Sequence, residues 1–353
     1  MKDNIIYSEN FIKEYDLFGK NFKSNPTNIN FSNSTLEFKD FKWENEVLVF
    51  LSINKIFYLI YSNRKNKSLI SYDIINNKKI NEVKNPHGKS IIYFKYYFDK
   101  INKRDLIISS YKFKKDCNIK IWNAYNFECL YNLLITNNGN GNNLFSFCLL
   151  NENANNYIVA SYINYEEKAS PIKIFDFNGK EIKEIKNSNE YTLFVDTYYD
   201  NKSSKIYIIT CNKGNVISYD YNENRIYHKY CDINDNLEHF YFDINNKDEI
   251  IETCRNGYIR IWNFHLGKLL RKIKIDNELL INICLWNNEF LLSPVGEKLL
   301  LIDLNSGEII IEINNNSTNK DKIFFIKKII HPKFGECLIS QNVKGITIWR
   351  NNN

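Results

Sequence analysis

No apolar run in this 353-residue chain approaches the length needed to cross a bilayer. None of the eight cysteines (Cys117, Cys129, Cys148, Cys211, Cys231, Cys254, Cys284 and Cys337) forms a C-x-x-C pair. Most of them sit within or at the end of apolar segments, where a free thiol behaves as a small hydrophobe. With no secretory leader in view, the expectation is a reducing compartment: cytoplasmic, with the nucleus as alternative. The five histidines, His87, His228, His239, His265 and His331, are far apart in sequence, and none has metal-ligand spacing with cysteine or another histidine. Also missing are G-x-S-x-G, a P-loop, G-x-G-x-x-G and the protein-kinase signature. The run 136–143 holds a glycine pair but not the strand-to-helix setting and lysine that phosphate binding requires. Glu238-His239 hints at acid–base work, but it falls at the start of a predicted strand, where a structural histidine is the simpler reading. The expectation is therefore no enzyme, no cofactor and no metal.

What the chain does have is asparagine, about one residue in six, together with abundant Ile, Lys, Tyr and Phe. These residues share A/T-rich codons, and the asparagines fall where turns need them. The formal charge of +6 is modest. Lysine-rich pieces at 64–67, 112–115, 180–186, 268–274 and 327–333 are scattered and read as solvated surface.

The strongest signal is a phrase that recurs about every 46 residues. Aligned on one large residue, its copies centre on Tyr72, Trp122, Phe175, Tyr219, Trp262, Ile302 and Trp349. Three residues earlier stand Leu69, Ile119, Ile172, Val216, Ile259, Leu299 and Ile346. One residue earlier stand Ser71, Ile121, Ile174, Ser218, Ile261, Leu301 and Ile348. Alternate residues of a strand share a face, so these two sets predict one side of a strand and the anchor the other. A strand that is apolar on both faces must be covered on both. After the anchor come Asp73, Asn123, Asp176, Asp220, Asn263 and Asp303, then a turn; Arg350 follows the last anchor. Asp and Asn bond their own backbone and suit a strand entering a hairpin. Two further strands precede each anchor, so each unit predicts four short antiparallel strands, the blade of a propeller.

The dipeptides Tyr72-Asp73, Trp122-Asn123, Phe175-Asp176, Tyr219-Asp220, Trp262-Asn263 and Ile302-Asp303 resemble those of the WD40 repeat family, as does the segment 331–340. The resemblance covers residues 40 to 350 and departs from the family in two ways. Gly-His is absent, with His87-Gly88 in reversed order, and the Asp usual before the Trp strand is mostly missing. The resemblance implies an all-β, seven-bladed propeller with most of its Trp–Ser/Thr–His–Asp networks incomplete. It also implies a non-catalytic scaffold for protein or peptide partners. An RNA-associated role in RNA processing is the alternative reading, and no membrane partner is expected. The Phe-Arg-Arg-Gly of lipid-binding relatives and the Trp-Asp-x-Arg of ubiquitin-ligase receptors are not present.

Residues 31–350 are expected to form one propeller, with 1–30 an extension and 351–353 a tail. The chain ends before a last outer strand, so residues 28–40 are expected to supply it from the N-terminal side. Phe11, Ile12, Tyr15 and Phe18 have helical spacing, which predicts a short helix over 8–20, or else a frayed tail. In this family partners often dock on the face where first strands begin. Here those positions are Trp43, Lys89, Asn143, Tyr191, Glu238, Glu278 and Lys322, with Trp43 and Tyr191 as aromatic anchors.

Overall fold

The computed structural model describes residues 13–16, 31–37 and, apart from short connecting segments, 47–351. Every element among the described residues is a strand. Seven antiparallel sheets of four strands follow one another along the chain and form a β-propeller. Blade 1 (47–84) shows the pattern: Val47–Leu51, Phe57–Asn63, Ser68–Asp73 and Lys78–Lys84 pair in sequence order. Blades 2 to 6 span 93–136, 143–185, 192–230, 239–274 and 284–314. By contacts the chain divides into two compact units. One holds blades 1 to 3 and the other blades 4 to 7, with the boundary inside the first strand of blade 4.

Blade 7 has only three strands of its own: Phe325–His331, Gly335–Gln341 and Gly345–Asn351. Its fourth is Phe31–Glu37, antiparallel, running from Phe31 opposite Asn351 to Glu37 opposite Gly345. The N-terminal strand therefore falls where the deficit at the C-terminus required it.

The helix expected over 8–20 is not found. Lys13–Asp16 is a strand, parallel to the outer strand of blade 5, with Lys13 opposite Arg271 and Asp16 opposite Lys274. The rest of that segment lies outside the described residues. An isolated short helix is marginal in water. The outer strand of blade 5 offers N–H and C=O groups along its edge, and pairing with them satisfies the backbone of Lys13–Asp16.

The two faces of each third strand do what the alternation predicts. Within blades 1 to 3, Trp122 packs against Leu69, Ile60 and Tyr58 of blade 1, and Phe175 packs against Ile119 and Ile121 of blade 2. In the other unit, Ile302 meets Ile259 and Ile261 of blade 5, and Trp349 meets Leu299 and Leu301 of blade 6. Trp262 turns toward blade 4, its ring 6.2 Å from that of Tyr230. In each of these blades the anchor packs on apolar side chains of the blade before it.

The residue after each anchor closes the hairpin. Asp73 Oδ1 accepts from the Ile75 and Asn76 amides, Asp176 Oδ1 from Asn178 and Lys180, and Asp220 Oδ1 from Asn222 and Glu223. Asn123 and Asn263 do the same with Tyr125 and Leu266. Five residues past the anchor the backbone turns left-handed: Gly267 at φ 63°, Gly307 at 72°, Asn224 at 53°. Blade 2 places Phe127 there, at φ 55°. Left-handed backbone is disfavoured for such a residue by about 1–2 kcal/mol. Burial of its ring among Trp122, Ala124 and Tyr58 offsets that cost.

Trp262 is fully buried. Trp262→Ala is expected to lower stability by about 3–5 kcal/mol, through lost burial and the cavity that remains. Urea melts measure this directly; a loss below about 1 kcal/mol would show that the anchor does not hold blade 5.

Candidate functional site

Of the seven residues expected to form a binding face, Trp43, Lys89, Tyr191, Glu238 and Glu278 lie outside the described residues. Asn143 begins the first strand of blade 3, opposite Ile163, and Lys322 is exposed just ahead of blade 7. The described side chains instead concentrate their polar chemistry in two kinds of place, repeated from blade to blade.

The first is a polar rung on the second strand, under the anchor. In blade 2, Trp122 Nε1 donates to Ser109 Oγ at 2.7 Å, and His87 Nε2 lies 2.7 Å from the same hydroxyl. Despite its reversed dipeptide, His87 still reaches the serine. In blade 7, Trp349 Nε1 donates to Ser340 Oγ at 2.7 Å. In blade 5 the rung is Glu252, not a serine. Its Oε1 accepts from Trp262 Nε1 at 2.9 Å and pairs with Arg260 Nε at 2.7 Å, both side chains fully buried. The register places Glu252 in the serine's row, two residues past the partner of the anchor and opposite Arg260.

The cysteines bear out their reading as small hydrophobes. Cys148, Cys211, Cys254, Cys284 and Cys337 are buried and free. Burial pushes the thiols of Cys148 and Cys211 well up, and that of Cys284 up to about 11, so they are not poised as thiolates.

The second place is the turn after each first strand, where it meets the next blade. Between blades 4 and 5, Asp200, Asp248 and His265 bring two carboxylates and an imidazole within 4.8 Å of one another. Asp200 ends the first strand of blade 4. Its Oδ1 accepts from the Lys202 amide at 2.9 Å, and its Oδ2 from the Ser203 amide and hydroxyl. Asp248, at φ 58°, precedes the second strand of blade 5. Its Oδ1 accepts from the Tyr198 hydroxyl at 2.5 Å, and its Oδ2 pairs with Lys202 Nζ. His265 sits in the outer hairpin of blade 5. Its carbonyl faces His228 Nε2 at 2.6 Å, its Nδ1 lies 3.4 Å from the Tyr227 hydroxyl, and its Nε2 lies 3.5 Å from Asp248 Oδ2. Burial raises both carboxyl pKa values, but the hydrogen bonds outweigh it: Ser203 and Lys202 hold Asp200 low, and Lys202 and Tyr198 hold Asp248 low. Three groups drawn from three separate turns have no spacing signature, so a search for ligand spacing finds no sign of this cluster.

Blades 2 and 3 carry the same junction with different groups. Tyr97 donates to Asn156 Oδ1 at 2.5 Å, and Asn156 Nδ2 lies 3.5 Å from Asp99 Oδ1. Asp99 also accepts from the amide and side chain of Asn102 and pairs with Arg104 Nε at 3.1 Å. Burial pushes its pKa up; Asn102 and Arg104 pull it down further, so the net direction is below the usual carboxylate range.

No protein-family model matches the chain, and no curated protein matches it.

Two outcomes follow from this geometry. Because the folded pKa of Asp99 is depressed, its contribution is full above about pH 4 and is lost as pH falls through the folded value. Asp99→Asn should therefore destabilise by about 1–2 kcal/mol at pH 7, and the gap to wild type should shrink in acid; a gap independent of pH from 7 to 3 would contradict the charge pair. For the rung, Glu252→Ala leaves Arg260 buried without its carboxylate and should cost about 3–5 kcal/mol. Ser340→Ala removes one neutral acceptor from Trp349 and should cost about 1–3 kcal/mol. Chemical denaturation of both variants would show the order, and an equal loss would rule out the charged rung.

Proposed function

We propose that the chain is a non-catalytic interaction scaffold of the WD40 type, whose turns hold protein or peptide partners. The observation that supports this is where large apolar side chains stay exposed. Ile75, Ile101, Ile182, Tyr199, Leu266 and Ile330 are the exposed large hydrophobics among the described residues. Each lies in, or within two residues of, a turn joining the first two or the last two strands of its blade. Exposed apolar groups at turns of a rigid scaffold are the usual raw material of an interface. The described lysines favour a protein partner over RNA, because many are interleaved with carboxylates. Lys173 pairs with Glu181 and Glu184, Lys205 with Asp220 and Glu223, and Lys328 with Glu336. A phosphate-tracking surface needs cations that are not already neutralised.

The scaffold reading predicts that Leu266→Asp and Ile101→Asp, singly or together, reduce capture of specific partners at least tenfold without moving the melting temperature. Affinity capture with quantitative mass spectrometry, with and without nuclease, reads this out. Unchanged capture by both variants would remove these turns from the interface. Capture abolished by nuclease would replace the protein partner with RNA.

A further inference from the structure

We propose that Asp200, Asp248 and His265 form a binding site for one divalent transition-metal ion of the zinc class, independent of the scaffold reading. The three donors already converge: their ligand atoms lie within 4.8 Å of one another. Metal bonds to nitrogen and oxygen of about 2.0–2.2 Å place neighbouring donors about 3–3.6 Å apart, so only a small contraction is needed. His265 Nε2 is a buried atom that makes no hydrogen bond, and at 3.5 Å from Asp248 Oδ2 it is too far to donate to it well. The other ring nitrogen faces Tyr227, and the His265 carbonyl is held by His228. Tyr227 thus stands on the far side of the ring, where the outer partner of a ligating histidine sits.

The equivalent junction between blades 2 and 3 shows what this arrangement looks like without such a set. Tyr97 and Tyr198 each stand two residues before an aspartate, Asp99 and Asp200, and each donates into the following blade. Asn156 and Asp248 hold one register position, two residues before the partner of the anchor, Ile158 opposite Phe175 and Ile250 opposite Trp262. Three residues past those anchors stand Asn178 and His265. The first junction therefore has one carboxylate, and Arg104, five residues after it, pairs with it. The second has two carboxylates and an imidazole. The cation five residues after Asp200 is Lys205, which turns away to Asp220 and Glu223.

Asp200 and Asp248 are 1% and 8% exposed, and such burial is unfavourable for unbalanced charge. Lys202 supplies the one ammonium, from a side chain that is 74% exposed and held only at its tip. A divalent ion would balance both carboxylates, and Lys202 can swing out into solvent as it enters. The imidazole selects against calcium and magnesium, which take all-oxygen sets, and toward zinc, nickel or copper.

The full chain, stripped with chelator and kept reduced, is titrated with Co2+, followed by its visible absorption, and with Zn2+ by calorimetry. Wild type is expected to bind one Co2+ that Zn2+ displaces. His265→Ala, at a side chain that is 31% exposed, should weaken binding at least tenfold with little change in the melting curve. Lys202→Ala should bind at least as tightly as wild type, because the competing ammonium is gone. The proposal is overturned if wild type shows no saturable binding up to millimolar ion. It is equally overturned if His265→Ala binds as well as wild type, which would place the ion elsewhere, or if Lys202→Ala abolishes binding.

Discussion

The rest of the molecule depends on the third strand of each blade being apolar on both faces. One face carries an aliphatic pair, as in Ile259 and Ile261, or an aliphatic residue and a buried serine in blades 1 and 4; the other carries a single large anchor, as in Trp262. A four-stranded sheet cannot cover both of its own faces, so each blade is incomplete without a neighbour. Burying one such side chain is worth about 1.5–3 kcal/mol. The anchors of blades 2, 3, 6 and 7 pack on apolar side chains of the blade before, and Trp262 of blade 5 faces Tyr230 of blade 4. Strand order, hairpin chemistry and the polar rung are all arranged around that contact.

The constraint explains how much could be read from residues alone. Period-2 alternation and a fixed anchor spacing are local, so the blades, the buried anchors and the Asx-closed hairpins were all legible. The missing outer strand of blade 7 was legible by subtraction, and Phe31–Glu37 fills it. The N-terminal helix was a misreading of a different kind. Phe11, Ile12, Tyr15 and Phe18 have helical spacing, and the decision lies instead with an available edge: the parallel pairing of Lys13–Asp16 on blade 5. Nothing within residues 8–20 encodes that edge.

The candidate site was not legible for a related reason. Asp200, Asp248 and His265 belong to two blades and three turns, and only the register of two sheets brings them together. A spacing search treats His265 as isolated. A search by repeat position would have found more: aligning Asn178 with His265, and Asn156 with Asp248, shows neutral amides in one blade replaced by an imidazole and a carboxylate in another. The binding-face residues inferred from the WD40 resemblance depend on connections between blades, and of these only Asn143 and Lys322 fall among the described residues.

Blade 5 shows how far the chemistry of a blade can change while its geometry is kept. Its anchor still pairs in register, Ile250 opposite Trp262, as Ile107 stands opposite Trp122 in blade 2. One face of the sheet packs Ile251, Ile259, Ile261 and Ile273 against blade 6, with Arg271 at its edge donating to the Leu304 carbonyl. The other face carries Glu252, Arg260 and Lys272 in adjacent positions across three strands, all buried. The pleat keeps these sets apart, so charge is added to one face at no cost to packing on the other. What the anchor requires is an acceptor for its indole N–H, and a carboxylate serves as well as a serine once an arginine neutralises it. Four residues before Glu252 in the same blade stands Asp248, again a carboxylate where blade 3 has a neutral amide. At that end no buried arginine among the described residues pairs with Asp248, whose partner is Lys202. The rung meets its one carboxylate with a buried arginine at 2.7 Å, whereas at the junction the ammonium that pairs with Asp248 comes from an exposed lysine.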